Sequence, residues 1–221
     1  MRLKLVFLML LGLGFSSLAQ AQLSVGLRGG LSSSSMSYRF SAGRPAANTP
    51  GISAPTFAFV AEYFGQQHAG FQMELQFLTL GYAQTDTVFF GTNRTELNYL
   101  KIPMLSNFYF GNSGRFHIKL GPHIGYLLQA REVSRDFEGP NFLPTYGQPD
   151  DRPRKLMYGL TLGTGISKLF GKSTLSAEAR FSYEFGRQES QNRIFDMNSS
   201  NLELSIAYLF RLTKPKWKKD S

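Results

Sequence analysis

The chain has 221 residues, a formal net charge of +9 and no cysteine, so disulfide frameworks, thiolate metal centres and a lipid-anchored N-terminus are excluded. So basic a chain would suggest nucleic acid if it stayed in the cytosol. Its first residues read as an export signal, which makes lipid phosphates the anions it would meet and leaves no nucleic-acid partner to expect.

Arg2 and Lys4 precede an apolar run from Leu5 to Phe15 and the small-residue triplet Ala19-Gln20-Ala21. The run is well short of the roughly 20 residues a spanning helix needs, so it reads as a secretory signal peptide over residues 1–21, cleaved after Ala21. The remaining chain is the size of one domain, 22–212, ending in a basic tail, 213–221, that is expected in the periplasm. With 20 Phe, 10 Tyr and 22 Gly, the composition suggests strands joined by many turns.

Eight strands are expected in chain order: Leu23 to Leu31, Pro55 to Phe64, Ala69 to Ala83, Thr95 to Phe110, Arg115 to Arg131, Lys155 to Phe170, Thr174 to Arg187, and Ser200 to Leu212. Phe71-Gln72-Met73-Glu74-Leu75-Gln76-Phe77 alternates strictly, apolar at odd positions and polar at even ones. Period two means two different solvents on two faces. Each strand reaches the roughly 9 to 11 residues that cross a bilayer at a tilt. Their links alternate in length. Gly65 to His68, Gly111 to Gly114 and Gly171 to Ser173 are tight turns with glycine supplying positive φ, whereas Ser32 to Ala54, Gln84 to Arg94, Glu132 to Arg154 and Gln188 to Ser199 are long. The fold class is therefore all-β: an eight-stranded antiparallel transmembrane β-barrel in the outer membrane, with short periplasmic turns and long extracellular loops. At eight strands the interior is filled by side chains.

Aromatic residues recur at the tight-turn end. Tyr63, Phe64, Tyr109, Phe110, Phe170, Tyr208 and Phe210 are expected to form a periplasmic girdle. The polar face supplies Arg28, Glu62, Glu74, Lys101, His117, Lys119, His123, Glu178, Arg180, Glu184 and Glu203, expected as a lumenal network in which carboxylates and cations neutralise one another. A secreted lipocalin-like barrel would invert these faces, apolar inward and polar outward. Bulky Phe57, Phe59, Phe71, Phe77, Phe116 and Phe181 suit lipid and would overfill a small interior, which favours the membrane barrel. Pro103, in mid-strand, cannot donate to the ladder and is expected to sit at a bulge that re-aims Lys101 or Leu105.

Tyr99-Leu100-Lys101-Ile102-Pro103-Met104-Leu105, with the Tyr-Phe-Gly turn after it and Gly121-Pro122 in the next strand, resembles the Tyr-Leu-x-Ile-Pro-Leu-Leu strand of the PorT-like outer-membrane β-barrel family of Bacteroidota. The resemblance implies the barrel fold and, through one member, an accessory role in protein secretion with a translocon as partner. Such barrels usually end on an aromatic read by the barrel-assembly machinery. Here Phe210 is followed by Arg211 and a lysine-rich tail.

No catalytic, cofactor or metal site is expected. Gly165 to Ser173 ends like a phosphate-binding loop, but its glycines are one residue too far apart and a strand comes next where a helix is needed. His117 and His123, six residues apart on one strand, are roughly 20 Å from each other and cannot share a metal. A Ser173–His68 pair at the periplasmic rim is the one conceivable nucleophile and base. The reading is a non-enzymatic barrel with a structural or interaction role, its lumen closed by polar side chains. The alternatives are the secretion accessory and a narrow porin for small solutes. Glu132 to Arg154, carrying Phe137, Phe142 and Tyr146, suits a protein or polysaccharide contact and equally a mobile surface loop.

Overall fold

The computed structural model describes residues 22–39, 47–86, 91–136, 154–185 and 196–213. In chain order these form β1 (Gln22–Arg39), β2 (Ala47–Asn48), β3 (Ile52–Phe64), β4 (Ala69–Asp86), β5 (Gly91–Gly111), β6 (Gly114–Ser134), β7 (Leu156–Phe170), β8 (Ser173–Phe185) and β9 (Asp196–Arg211). The two-residue β2 is a flap on the upper end of β1. The other eight are antiparallel neighbours in sequence order, and β9 pairs with β1 from Ser24↔Arg211 to Arg39↔Asp196, closing the ring. Closure satisfies backbone groups that hydrocarbon could not.

Along β3, β5 and β7 the side chains alternate between a sealed interior and an exposed exterior. The exposed set is apolar: Phe57, Leu162, Ile166, Leu204 and Ile206 each show about half or more of their surface. The buried set holds Arg28, Lys101, Arg180, Glu74, Glu184 and Glu203. This is the arrangement of a barrel whose outer solvent is lipid, with the faces of a lipocalin reversed. On β5 the lipid-facing positions run from Leu100 to Phe110; at about 3.3 Å per residue and a tilt of about 40° they span roughly 25 Å, the height of an outer-membrane apolar band. Above Leu100 the same face carries Asn98, Glu96 and Arg94, and Glu96 pairs with Arg94 at 2.9 Å and Arg131 at 3.5 Å. Charge returns to the exterior there because water does.

The strands continue past this boundary, where their sequence no longer alternates. β1 runs through the serines beyond Leu31 to Arg39, held by β9 on one side and by Ser32↔Ala54 to Ser34↔Ile52 on the other. The long links expected from Ser32, Gln84 and Gln188 are correspondingly shorter. Gln84↔Asn93 and Asp86↔Gly91 are still paired, and β9 begins at Asp196. Residues 1–21, expected as a signal peptide, the tail beyond Thr213, Arg187, and the loop positions Phe137, Phe142 and Tyr146 lie outside the described residues.

Three local expectations are corrected. Pro103 is not at a bulge: it faces the lumen in the same phase as Lys101 and Leu105, and register is unchanged on both sides of it. The irregularities on β5 fall at Arg94/Thr95 and Asn98/Tyr99. Phe64 and Tyr109 leave the girdle. They point inward, 2% and 6% exposed, because adjacent residues on a strand face opposite sides and each Tyr-Phe pair can give lipid only one ring. Half-buried Tyr63 with Phe110, Phe170, Tyr208 and Phe210 remain on the outer surface at this end. Of the turn glycines, Gly111 (φ 101°) and Gly171 (φ 61°) take positive φ, and Gly65 does not. Its four-residue turn is wide enough to dispense with it.

Candidate functional site: the lumenal network

The barrel interior is stacked in layers from the tight-turn end to the loop end. At the lower mouth Phe64 and Tyr109 meet edge to face at 5.1 Å, and the Arg115 guanidinium lies 3.9 Å over the Tyr109 ring. His68 Nδ1 lies 3.2 Å from the Tyr109 carbonyl oxygen. Ser173 Oγ is bonded to the Tyr208 hydroxyl at 2.7 Å. The structure therefore does not bring Ser173 and His68 together.

Above the mouth, Asn107 donates to Glu62 at 2.7 Å and Lys119 to Glu178 at 2.5 Å, with His117 Nε2 3.4 Å from the same Glu178 oxygen. A cavity of about 20 Å³ borders Glu62, Asn107 and His117, room for a single water. At mid-height Glu74 is gripped from two sides. Arg28 donates to it at 2.9 and 3.1 Å, and Arg180 binds both its oxygens at 2.6 and 2.8 Å. Arg180 also donates through Nε to Glu178, and Arg28 through Nη1 to Glu203 at 2.9 Å. Gln76 and Asn201 add a bond each to Glu203, and Gln72 donates to Glu74. One layer higher, Lys101 donates to Ser182 at 2.9 Å and lies 3.5 Å from Glu184, which also accepts from Ser199. His123 reaches Thr161 at 2.9 Å.

All eleven residues assigned to the lumen by parity are buried there. The structure brings Arg28, Glu74, Glu178, Arg180, Glu203, Lys119 and His117 into one connected system. Lys101, His123 and Glu184 form a second group above it, and Glu62 is held by Asn107, with no ion pair among the described residues. Glu62, Glu74, Glu178, Glu184 and Glu203 are matched in number by Arg28, Lys101, Arg115, Lys119 and Arg180. Neutrality of this kind is what makes a low-dielectric interior tolerable, since an unpaired ion would cost several kcal/mol. Among the described residues no group of three His, Cys, Asp or Glu could hold a metal.

Two parts of the interior leave little trace in the alternation of the sequence. The first is an apolar plug of Met36, Leu78, Leu80, Tyr82, Leu97, Tyr99, Leu127 and Met157 over the charged layers, toward the loop end. It also explains why alternation blurs from Leu97 to Leu105: inward Leu97 and Tyr99 belong to the plug, inward Pro103 and Leu105 are apolar as well, and outward Asn98 gives way to lipid-facing Leu100, Ile102 and Met104. The second is the inward face of β7, where Gly159, Gly163 and Gly165 make room for the network. A Cβ on Gly163 would stand 2.7 Å from Glu178 Oε1 and 3.1 Å from Arg180 Cγ, and one on Gly159 would stand 2.8 Å from the His123 ring. Glycine at alternate positions of a strand was the available signal. Outside, the loop end has aromatics of its own, with Phe185 5.4 Å from Tyr183 and 6.3 Å from Tyr158.

In fold, the chain resembles OprG from Pseudomonas aeruginosa, at 10% identity over 90% of this chain and 99% of that one, with a TM-score of 0.57. Ail of Yersinia pestis aligns at 14% identity over 85% and 98% of the two chains (TM-score 0.43), and the neisserial surface protein NspA at 12% over 84% and 96% (TM-score 0.48). No curated protein matches the sequence. The closed ring, the lipid-facing exterior and the charge-filled lumen agree with the match of residues 18–188 to the outer membrane protein beta-barrel domain, and the chain belongs to that family.

Proposed function

We propose that this outer-membrane barrel is non-enzymatic and closed, acting as a structural or interaction protein that presents its extracellular loops on a rigid cylinder. The observation that carries the reading is the order of the interior: a cross-linked charged belt lies directly beneath a plug of eight apolar side chains, none more than 5% exposed. Small solutes or ions would have to displace both. A buried network with this many ion pairs and hydrogen bonds also rigidifies what contains it, which suits a support for loops better than a conduit.

Reconstitution in planar bilayers tests this. Discrete conductance steps from the wild-type protein would replace the closed reading with that of a narrow porin; an unchanged baseline is expected. A second reading, an accessory in protein secretion, is favoured by the strand Tyr99 to Leu105 and its resemblance to PorT-like barrels. Mild cross-linking in native outer membranes followed by purification tests it. A stoichiometric translocon partner is the supporting result, and recovery of the barrel alone argues against it. In either role, Phe210, exposed on β9, is the aromatic best placed to be read during assembly.

A further inference from the structure

The lipid-facing surface is not evenly filled. Across β7, β8 and β9 the outward pairs Ile166↔Ala177↔Ile206 and Thr164↔Ala179↔Leu204 place small side chains between large ones. The result is an outer-surface hollow of about 740 Å³ that runs from Phe116 on β6 over the floor of Ala177 and Ala179, past Ile166, Leu204 and Ile206, to Gly29 and Leu31 on β1. It continues toward the tight-turn end, where Lys168 lines it. At the other end stands Phe181, paired with Leu162. From Lys168 to Leu162 along β7 is six residues, about 20 Å of strand and roughly 15 Å of depth at a tilt of about 40°, which is half the hydrocarbon core of a bilayer. The groove is as deep as one leaflet, the periplasmic one.

The charge at its lower end is of one sign. Lys168 is exposed and has no hydrogen-bond or ion-pair partner among the described residues. Lys172 stands in the adjoining turn, and Arg211 crosses to it to donate to the Gly171 carbonyl at 3.0 Å. Among the described residues no carboxylate faces outward at this end of the barrel; Glu62, Glu74 and Glu178 all point inward. An unpartnered ammonium at the foot of an apolar groove one leaflet deep complements a phosphate carrying acyl chains.

We propose that the groove across β7 to β9 holds an acyl chain of one anionic glycerophospholipid of the periplasmic leaflet, with Lys168 bound to its phosphate. The site is distinct from the lumen, so it stands or falls separately from the closed-barrel reading. Native mass spectrometry of the full protein, released from detergent micelles after titration with phosphatidylglycerol or phosphatidylcholine, tests it. The wild type should retain one phosphatidylglycerol in preference to phosphatidylcholine. Lys168→Gln should weaken that retention about fivefold, the effect of one basic residue at an anionic surface. Ala177→Phe should abolish it by filling the floor, and Ala179→Leu provides a smaller filling should the first variant fail to fold. Equal retention of the two lipids, a graded series of adducts with no single bound species, or full retention by a folded groove-filling variant would each overturn the proposal.

Discussion

Arg180→Met removes the residue that ties the lower charged layer to the middle one. Its side chain is 1% exposed, as are those of its partners to within a percent, so no solvent stands ready to replace it. Three charge-assisted bonds go: two to Glu74 and one to Glu178. Breaking a buried pair by deleting one partner costs about 3–5 kcal/mol, because the other charge is left uncompensated. Here neither carboxylate is left alone. Glu74 keeps Arg28 at 2.9 Å, and Glu178 keeps Lys119 at 2.5 Å. The expected loss is therefore at the low end, about 3 kcal/mol. Removing Glu178 in the same chain, as Glu178→Gln with Arg180→Met, should cost clearly less than the sum of the single changes, since residues in one network couple by about 0.5–3 kcal/mol. Folded fraction after incubation in urea, read from the mobility of unboiled samples on gels, gives the stabilities. If Arg180→Met is neutral while conductance or uptake changes, the network is a path and not a brace, and the reasoning fails.

Other substitutions test the layers separately. Gly163→Val should destabilise by about 1–3 kcal/mol through overpacking against Glu178 and Arg180, whereas Thr164→Val, on the lipid side of the same strand, should be nearly neutral by the same urea assay. Leu80→Ala in the plug, 0% exposed, should cost about 2–5 kcal/mol yet produce no conductance steps in planar bilayers, because the charged belt still fills the lumen. Leu204→Arg, outward and at mid-depth, should cost about 2–4 kcal/mol in a bilayer; a loss near zero for the protein folded into lipid vesicles would place that face away from hydrocarbon.

How much of the barrel was legible in the sequence depends on what alternation encodes. Where one face meets lipid and the other meets charge, as from Phe71 to Phe77 or Leu175 to Tyr183, polarity reports direction and the lumenal residues can be assigned one by one. Where both faces are apolar, as from Ile102 to Leu105, or both polar, as from Ser32 to Ser35, the code has no contrast, and where apolar residues face in and polar ones out, as from Glu96 to Tyr99, it points the wrong way. The plug and the upward extension of β1 were lost there for that reason. Pairing inside the lumen was out of reach for another. Glu74 and Arg180 are 106 positions apart, and which charges meet depends on the stagger accumulated around the ring, a property of closure that no single strand carries.

Pro103 shows how a correct local rule can lead to a wrong local structure. Proline lacks the ladder donor, and the β4–β5 pairing does lapse there, between Met73↔Met104 and Gln76↔Lys101. The β5–β6 pairing lapses one step lower, between Pro103↔His123 and Ser106↔Leu120, opposite Gly121 and Pro122. Yet both ladders resume in the same register. A bulge would have turned Lys101 or Leu105 toward lipid, and withdrawing Lys101 from Ser182 and Glu184 would leave a buried carboxylate without its cation at about 3–5 kcal/mol; a missing hydrogen bond costs about 1 kcal/mol. The smaller penalty is the one the fold accepts. Pro103→Val should then keep the register, recover a donor worth about 1 kcal/mol, and give back about 0.4–1 kcal/mol as the unfolded chain regains freedom. The net change in urea stability is expected to stay within about 1 kcal/mol of zero. A loss of more than about 2 kcal/mol, beyond both contributions, would mean that the proline ring itself is needed in the lumen.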